Sequence, residues 1–217
     1  MRFSAHPMRV EVIRSPPLDD NVYLVVDEGS GEAIVIDPAL AKDRVLELAQ
    51  RLGATIKVIV NTHGHADHSA DDGPLKAATG AKLGIHEVDA YRLERNAKQP
   101  PEYLAAPPPA VKPDLVLKEG SEIKAGSTVL TVWHTPGHTE GSVCFYAKSE
   151  GILFAGDTIL AGFPGRSDMQ GSSPAKMVAS LRRLSHLPPA TRVFPGHGPA
   201  TTIGDEPWLA NVAYPLV

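Results

Sequence analysis

The stretch that most limits what this chain can fold into is Asn61-Thr62-His63-Gly64-His65-Ala66-Asp67-His68, which places four metal-competent side chains within six positions. Ile56-Lys57-Val58-Ile59-Val60 precedes it, a β-branched run of the kind that forms a buried strand, and a helix-like segment follows. The donors therefore fall on the loop leaving a strand. Side chains alternate along extended backbone, so His63 and His65 point one way and reach one cation, while Asp67 and His68 lie beyond them. Four donors on so short a loop rarely close on a single ion, which favours a second ion completed by ligands from elsewhere. Taken alone, the octet also reads as a polar surface loop rich in histidine.

Three later islands reduce the weight of that alternative. Thr135-Pro136-Gly137-His138-Thr139, Phe154-Ala155-Gly156-Asp157-Thr158 and Pro195-Gly196-His197-Gly198 each offer one ligand at the end of an apolar run. Glycine or proline flanks each, as in tight turns that hold a side chain at a fixed place on a rigid scaffold. The set His63, His65, Asp67, His68, His138, Asp157 and His197, in this order and context, resembles the metallo-β-lactamase fold superfamily of metal-dependent hydrolases over nearly the whole chain. Gly156-Asp157-Thr158 through Gly165-Arg166-Ser167-Asp168, with the Gly196 to Gly204 segment, is similar to short, single-domain glyoxalase II (hydroxyacylglutathione hydrolase) proteins.

That resemblance implies an α/β protein, a four-layer αβ/βα sandwich with metals at one edge between two sheets. It also implies that His63, His65 and His138 hold one divalent ion, that Asp67, His68 and His197 hold the other, and that Asp157 bridges them. A hydroxide shared by the two ions would then attack an acyl carbon, with Asp67 and Asp157 as the carboxylates of the catalytic centre. Zinc is the first expectation, and mixed histidine and carboxylate sites also accept iron and manganese. A thioester suits such a centre, because a thiol with a pKa of about 8.5 leaves without a strong general acid. Neither a Gly-x-Ser-x-Gly elbow nor a P-loop competes for the catalytic role.

Bulk properties narrow the partners. A chain of 217 residues, 42% hydrophobic, is read as one soluble domain over 1–217, with halves of roughly 1–113 and 114–217. Its net charge of -4, without clustered Lys and Arg, argues against nucleic acid and points to a small-molecule substrate. The N-terminal residues lack the apolar core of a secretion signal, and no apolar stretch is long enough to span a bilayer, so a cytoplasmic location is expected. Cys144 is the only cysteine and lies in a strand-like run, so it reads as a small buried apolar residue rather than a nucleophile.

Along the chain, strands are expected at Val10 to Ile13, Val22 to Val26 and Ala33 to Ile36, with Lys42 to Leu52 a helix stopped by Gly53. Helix and strand then alternate through Pro74 to Ala78, Leu83 to His86 and Val88 to Arg95. Strands return from Ile123 to Val132, at Val143 to Tyr146 and at Ile152 to Phe154. Pro174 to Leu184 reads as a helix whose Arg182 and Arg183 face solvent, and Val193-Phe194 as the last strand. Six prolines between Gln99 and Pro113 exclude regular structure, so that segment is read as a crossover between the halves, with a wall of the substrate cleft as the alternative. His6, His86 and His186 are read as structural. His134 is expected to orient a ligand. Asp37 is read as a turn former or a support behind a ligand. Arg166 and Asp168 form either an internal ion pair in a turn or a substrate contact. Asp71 and Asp72 suit a helix start, and their field is expected to discourage an anionic substrate. The rival chemistries are persulfide dioxygenation at a mononuclear iron on His63, His138 and Asp157, and lactone or β-lactam hydrolysis.

Overall fold

Period-two alternation along the strands decides the layers. The computed structural model describes residues 8–213, so His6 and the N-terminal stretch lie outside the described residues. The first sheet runs β1 (Met8–Ser15), β2 (Asp20–Asp27), β3 (Glu32–Ile36), β4 (Thr55–Val60), β5 (Lys82–His86) and β6 (Leu115–Leu117), adjacent in that order. Its first three strands form the antiparallel meander, and β3 to β6 are parallel. Parallel neighbours need crossovers, which α1 (Lys42–Leu52), α3 (Asp72–Thr79) and α4 (Ala90–Lys98) provide, while α2 (Ala66–Ser69) is one turn inside the ligand loop.

The second half supplies β7 (Glu122–Ala125), β8 (Thr128–His134), β9 (Val143–Ala147), β10 (Ile152–Gly156), the small hairpin β11 (Ile159–Leu160) with β12 (Phe163–Pro164), β13 (Arg192–Pro195) and β14 (Thr201–Thr202). The second sheet is ordered β14-β13-β10-β9-β8-β7, and α5 (Pro174–Leu184) joins its one parallel pair, β10 and β13. On β2, Val22, Leu24 and Val26 pack with Val45, Leu75 and Leu93 of the helices, whereas Tyr23 and Val25 pack with Leu130, Phe145 and Phe154 of the other sheet. On β9, Val143 and Phe145 join that inter-sheet core, and Cys144 and Tyr146 turn toward Met177, Leu181 and Leu184 of α5. The result is the helix, sheet, sheet, helix sandwich expected from the sequence, with each fully buried Leu, Val or Phe contributing about 1.5–3 kcal/mol. Cys144 is fully buried and burial pushes its thiol up to about 11, in keeping with a packing role. Among the described residues no helix is long and apolar enough to cross a membrane.

Three expectations need correction. The proline-rich segment does not carry the chain between the sheets: β6 follows it and pairs with β5, so the first half extends through Leu117 and the passage comes at residues 118–121. Prolines barred the segment from the sheet but not from packing, and Leu104 buries itself against Ala66 and Ala70 of the ligand loop. Val193-Phe194 is not the last strand, since β14 pairs with β13. Arg183 is less free than a solvated face implies: its guanidinium lies 4.4 Å from the Trp133 ring centre and 2.6 Å from Glu119.

Asp27 ties the two sheets together at the far end of β2. One carboxylate oxygen accepts from Ser30 N and Oγ at 2.9 and 2.8 Å, and the other from the Ser127 and Thr128 amides of the β7–β8 turn at 3.0 and 3.1 Å. Burial acts to raise this carboxyl, but the donors of Ser127 and Ser30 outweigh it and hold it below the usual carboxylate range. Asp27→Ala is expected to lower the unfolding free energy by about 3 kcal/mol at pH 7 by stranding these donors. Because the folded-state pKa is depressed, the contribution is complete above the unfolded value of about 3.9 and fades as pH falls below it. Urea unfolding of both proteins between pH 7 and pH 3 checks this, with the gap between them narrowing only at the acid end.

Candidate metal centre

The candidate ligands arrive from strand ends that share one edge of the sandwich. Asp37 follows β3, the 61–68 loop follows β4, His138 follows β8, Asp157 follows β10 and His197 follows β13. Parallel strands bring their carboxyl ends together, and β2, antiparallel to β3, brings its amino end with Asp20 and Asn21 to the same edge. Asn21 stitches the two sheets there: its N–H donates to the Gly196 carbonyl at 2.7 Å and its Nδ2 to the Pro195 and Gly198 carbonyls, both at 2.9 Å. Gly196 is obligatory in this turn, because a Cβ would stand 2.2 Å from Asp157 Oδ1 and 2.8 Å from His68 Cε1.

At the first position, His65 Nδ1 lies 3.0 Å from His63 Nε2 and 3.0 Å from His138 Nε2. The outer nitrogens decide where the protons sit. Thr62 Oγ1 donates to Asp37 Oδ2 at 2.6 Å and so accepts from His63 Nδ1 at 3.1 Å. His138 Nδ1 donates to the Arg166 carbonyl at 2.8 Å. Both Nε2 atoms are thereby left as lone pairs aimed at one point, an arrangement that a cation reconciles. Burial holds His63 well below the ordinary histidine range and, with His138, brings His65 down to about 4, so both are neutral and ready to ligate near pH 7.

The second position is built the same way with more carboxylate. His68 Nδ1 donates to Asp37 Oδ2 and His197 Nδ1 to the Leu18 carbonyl, each at 3.1 Å, which turns both Nε2 atoms inward. Asp67 Oδ2 is 3.8 Å from each of them, and Asp157 reaches His68 and His197 at 3.6 Å and His138 at 3.4 Å, so its carboxylate lies between the two donor groups. Asp20 Oδ1, His68 Nε2 and Asp157 Oδ1 are buried without a hydrogen-bond partner. Three such atoms side by side are costly unless a cation joins them, and a metal ion fits this donor set. Burial opposes a charge on His68, but Asp157, Asp67 and Asp37 raise its pKa well above the usual value; a proton there stands in for a metal. Burial pushes Asp20 up to about 6; it acts on Asp157 in the same sense, yet His68, His138 and His197 bring Asp157 below its ordinary value.

All seven residues singled out in the sequence therefore converge, and Asp37 supports them by orienting Thr62 and His68. The three outer residues fare differently. His134 stacks on His86 at 4.1 Å and meets the Glu140 carbonyl at 3.0 Å, so its ring touches none of the seven. Arg166 assists through its backbone oxygen, while its side chain forms the internal ion pair with Asp168 at 3.0 Å. Asp72 does not exert the expected field, since it is fully buried against Asn61 with its carboxyl raised well above the usual range by burial, while Asp71 accepts from the Lys42 amide at 2.7 Å. His186 is structural, sharing a hydrogen bond with the Arg182 carbonyl at 2.7 Å.

Three residues escaped the sequence reading. Asp20 stands at the start of a strand rather than at its end, and Tyr103, whose hydroxyl donates to Asp67 Oδ1 at 3.4 Å, sits among the prolines. Asp89 offered no ligand spacing. Fully buried, it accepts from Gly64 N at 2.8 Å and Thr139 Oγ1 at 2.7 Å with one oxygen, and from Gly141 N at 2.9 Å and Arg92 Nε at 3.2 Å with the other. One carboxylate thus clamps the His63–His65 loop to the His138 loop. Asp89→Ala is expected to weaken ion binding at the first position about 10–100-fold and to leave the second nearly unchanged, as read by calorimetric metal titration.

The donors floor a cavity of about 660 Å³ walled by Leu18, Leu160, Phe163 and Met169, with Arg95 and Tyr103 at its rim. Such a cavity takes a small organic molecule. The family described as the metallo-beta-lactamase superfamily matches residues 16–197. A hydroxyacylglutathione hydrolase of Methylococcus capsulatus is 36% identical over 189 residues, 87% of this chain and 66% of that protein, so the chain spans about two thirds of that relative's length. The crystal structure of BLEG-1 B3 metallo-beta-lactamase is similar with a TM-score of 0.83 and 27% identity, over 93% of this chain and 100% of that one. TTHA1623, solved in a di-iron-bound form, gives a TM-score of 0.82 and 36% identity, over 92% and 100%. The match across residues 16–197, carried on this sandwich with its edge of converging donors, makes the chain a member of the metallo-beta-lactamase superfamily.

Proposed function

We propose that the chain is a dinuclear metal-dependent hydrolase of acyl thioesters, of the hydroxyacylglutathione hydrolase type. The observation that carries this reading is the completeness of both donor groups with Asp157 set between them. His63, His65 and His138 would hold one ion, and Asp67, His68 and His197 the other. When bound, a pair of divalent ions lowers the pKa of water toward neutrality and polarises a carbonyl. Zinc suits the imidazole-rich position, and the di-iron form of TTHA1623 supports iron as the alternative.

The chain's own residues position the reactants. Tyr103 donates to Asp67 and keeps that carboxylate turned toward the donors. Leu18, Leu160 and Phe163 offer an apolar wall that sheds water from the acyl group. A thiolate leaves without a protonated side chain beside it, which suits a floor made of metal donors. A mononuclear iron dioxygenase would leave Asp67, His68 and His197 without a task.

The rim favours an anionic substrate. Arg92 pairs with Asp89 and Glu140, and Arg166 with Asp168, whereas Arg95 bonds only the neutral Gln170 amide, at 2.9 Å, among the described residues. Its charge is therefore available to a substrate carboxylate. Arg95→Ala is expected to raise KM for a carboxylate-bearing thioester about 10-fold with kcat little changed, measured by steady-state kinetics.

Metal quantification on the native protein, together with release of free thiol from S-lactoylglutathione, tests the proposal. About two ions per chain, with activity lost to a chelator and restored by metal, is the expected outcome. One iron per chain with sulfide-dependent oxygen uptake would replace the hydrolase with a dioxygenase.

A further inference from the structure

We propose that Asp20 is an additional donor to the second ion and that it makes this position the harder of the two. The inference rests on the dinuclear reading above and adds a residue to it. Asp20 is 1% exposed, and its Oδ1 finds no hydrogen-bond donor. That atom lies 3.6 Å from His197 Nε2 and 3.9 Å from His68 Nε2. Neighbouring donors on one five-coordinate ion at about 2.0–2.2 Å stand roughly 2.8–3.8 Å apart, so modest closure around an ion brings all three into joint coordination. Donor atoms of Asp20, Asp67, His68 and His197 all lie within 4.8 Å of one another.

The backbone fixes Asp20 in this place. It forms an isolated antiparallel bridge with His197, and the next residue, Asn21, bonds the carbonyls of Pro195, Gly196 and Gly198 on both sides of that histidine. The turn presenting His197 and the strand start presenting Asp20 thus move as one piece. A carboxylate buried beside Asp67 and Asp157, with its Oδ1 denied a hydrogen-bond donor, is unfavourable unless a shared cation offsets the repulsion.

A chemical asymmetry follows. The first position combines three imidazoles with the shared Asp157, whereas the second combines two imidazoles with Asp157, Asp67 and Asp20. Imidazole suits zinc, and carboxylate suits harder ions such as Mn²⁺. The two positions should therefore differ in preference, the second accepting Mn²⁺ more readily than the first.

Calorimetric titration of the metal-free wild type and Asp20→Asn with Zn²⁺ and with Mn²⁺ tests this, with circular dichroism and thermal unfolding of both metal-free proteins as the folding control. The substitution is expected to weaken the second equivalent at least about 10-fold, more for Mn²⁺ than for Zn²⁺, and to leave the first unchanged. Two equivalents bound by Asp20→Asn with wild-type affinities would overturn the role of Asp20 and leave the dinuclear reading intact. A wild type that binds a single equivalent would overturn both. Should Asp20→Asn not fold, electron paramagnetic resonance on wild type given one equivalent of Zn²⁺ and then Mn²⁺ decides: bound Mn²⁺ supports the inference, and Mn²⁺ remaining free overturns it.

Discussion

Four imidazoles held with their lone pairs facing inward are the constraint on which the rest of this structure depends. Asp37, Thr62 and the carbonyls of Leu18 and Arg166 occupy the outer nitrogens of His63, His68, His138 and His197 and so decide which atom of each ring is free to ligate. Without a cation, the inner face leaves Asp20 Oδ1, His68 Nε2 and Asp157 Oδ1 buried with no hydrogen-bond partner. Much of the surrounding architecture keeps those groups from moving apart: Asp89 joins the loops of the first position, and Gly196 admits the close approach of Asp157 and His68.

The two sheets are fastened to each other at both ends of β2. At the site edge Asn21 bonds the 195–198 turn, and at the far edge Asp27 collects the amides of the β7–β8 turn. Between them Tyr23 fills the inter-sheet core and donates its hydroxyl to the Pro195 carbonyl at 2.5 Å. Packing alone would allow the sheets to slide, because apolar burial is not directional. Hydrogen bonds at the two ends fix the register, and the distance between the two donor groups follows from it.

Much of this was legible in the sequence because the relevant signals are local. The histidine spacing on one loop, the apolar run before each ligand island and the glycines around them marked the seven donors, and the family resemblance those donors carry implied the four layers. What stayed hidden depends on pairing between distant segments. Asp20 looks like a turn residue until β2 is known to run antiparallel to β3, and Asp89 looks like an ordinary acid ahead of a helix until the His138 loop is folded over it. The proline-rich segment misled in part: its composition excluded regular structure correctly, and of the two readings it allowed the crossover fails, whereas the cleft wall holds through Gln99, Pro101 and Tyr103.

Anomalous diffraction from crystals of the metal-loaded chain tests the central claim most directly. Two peaks are expected, one among His63, His65 and His138 and one among His68, His197 and Asp67, with the Asp157 carboxylate between them. A single peak, or ions bound away from these side chains, would contradict it.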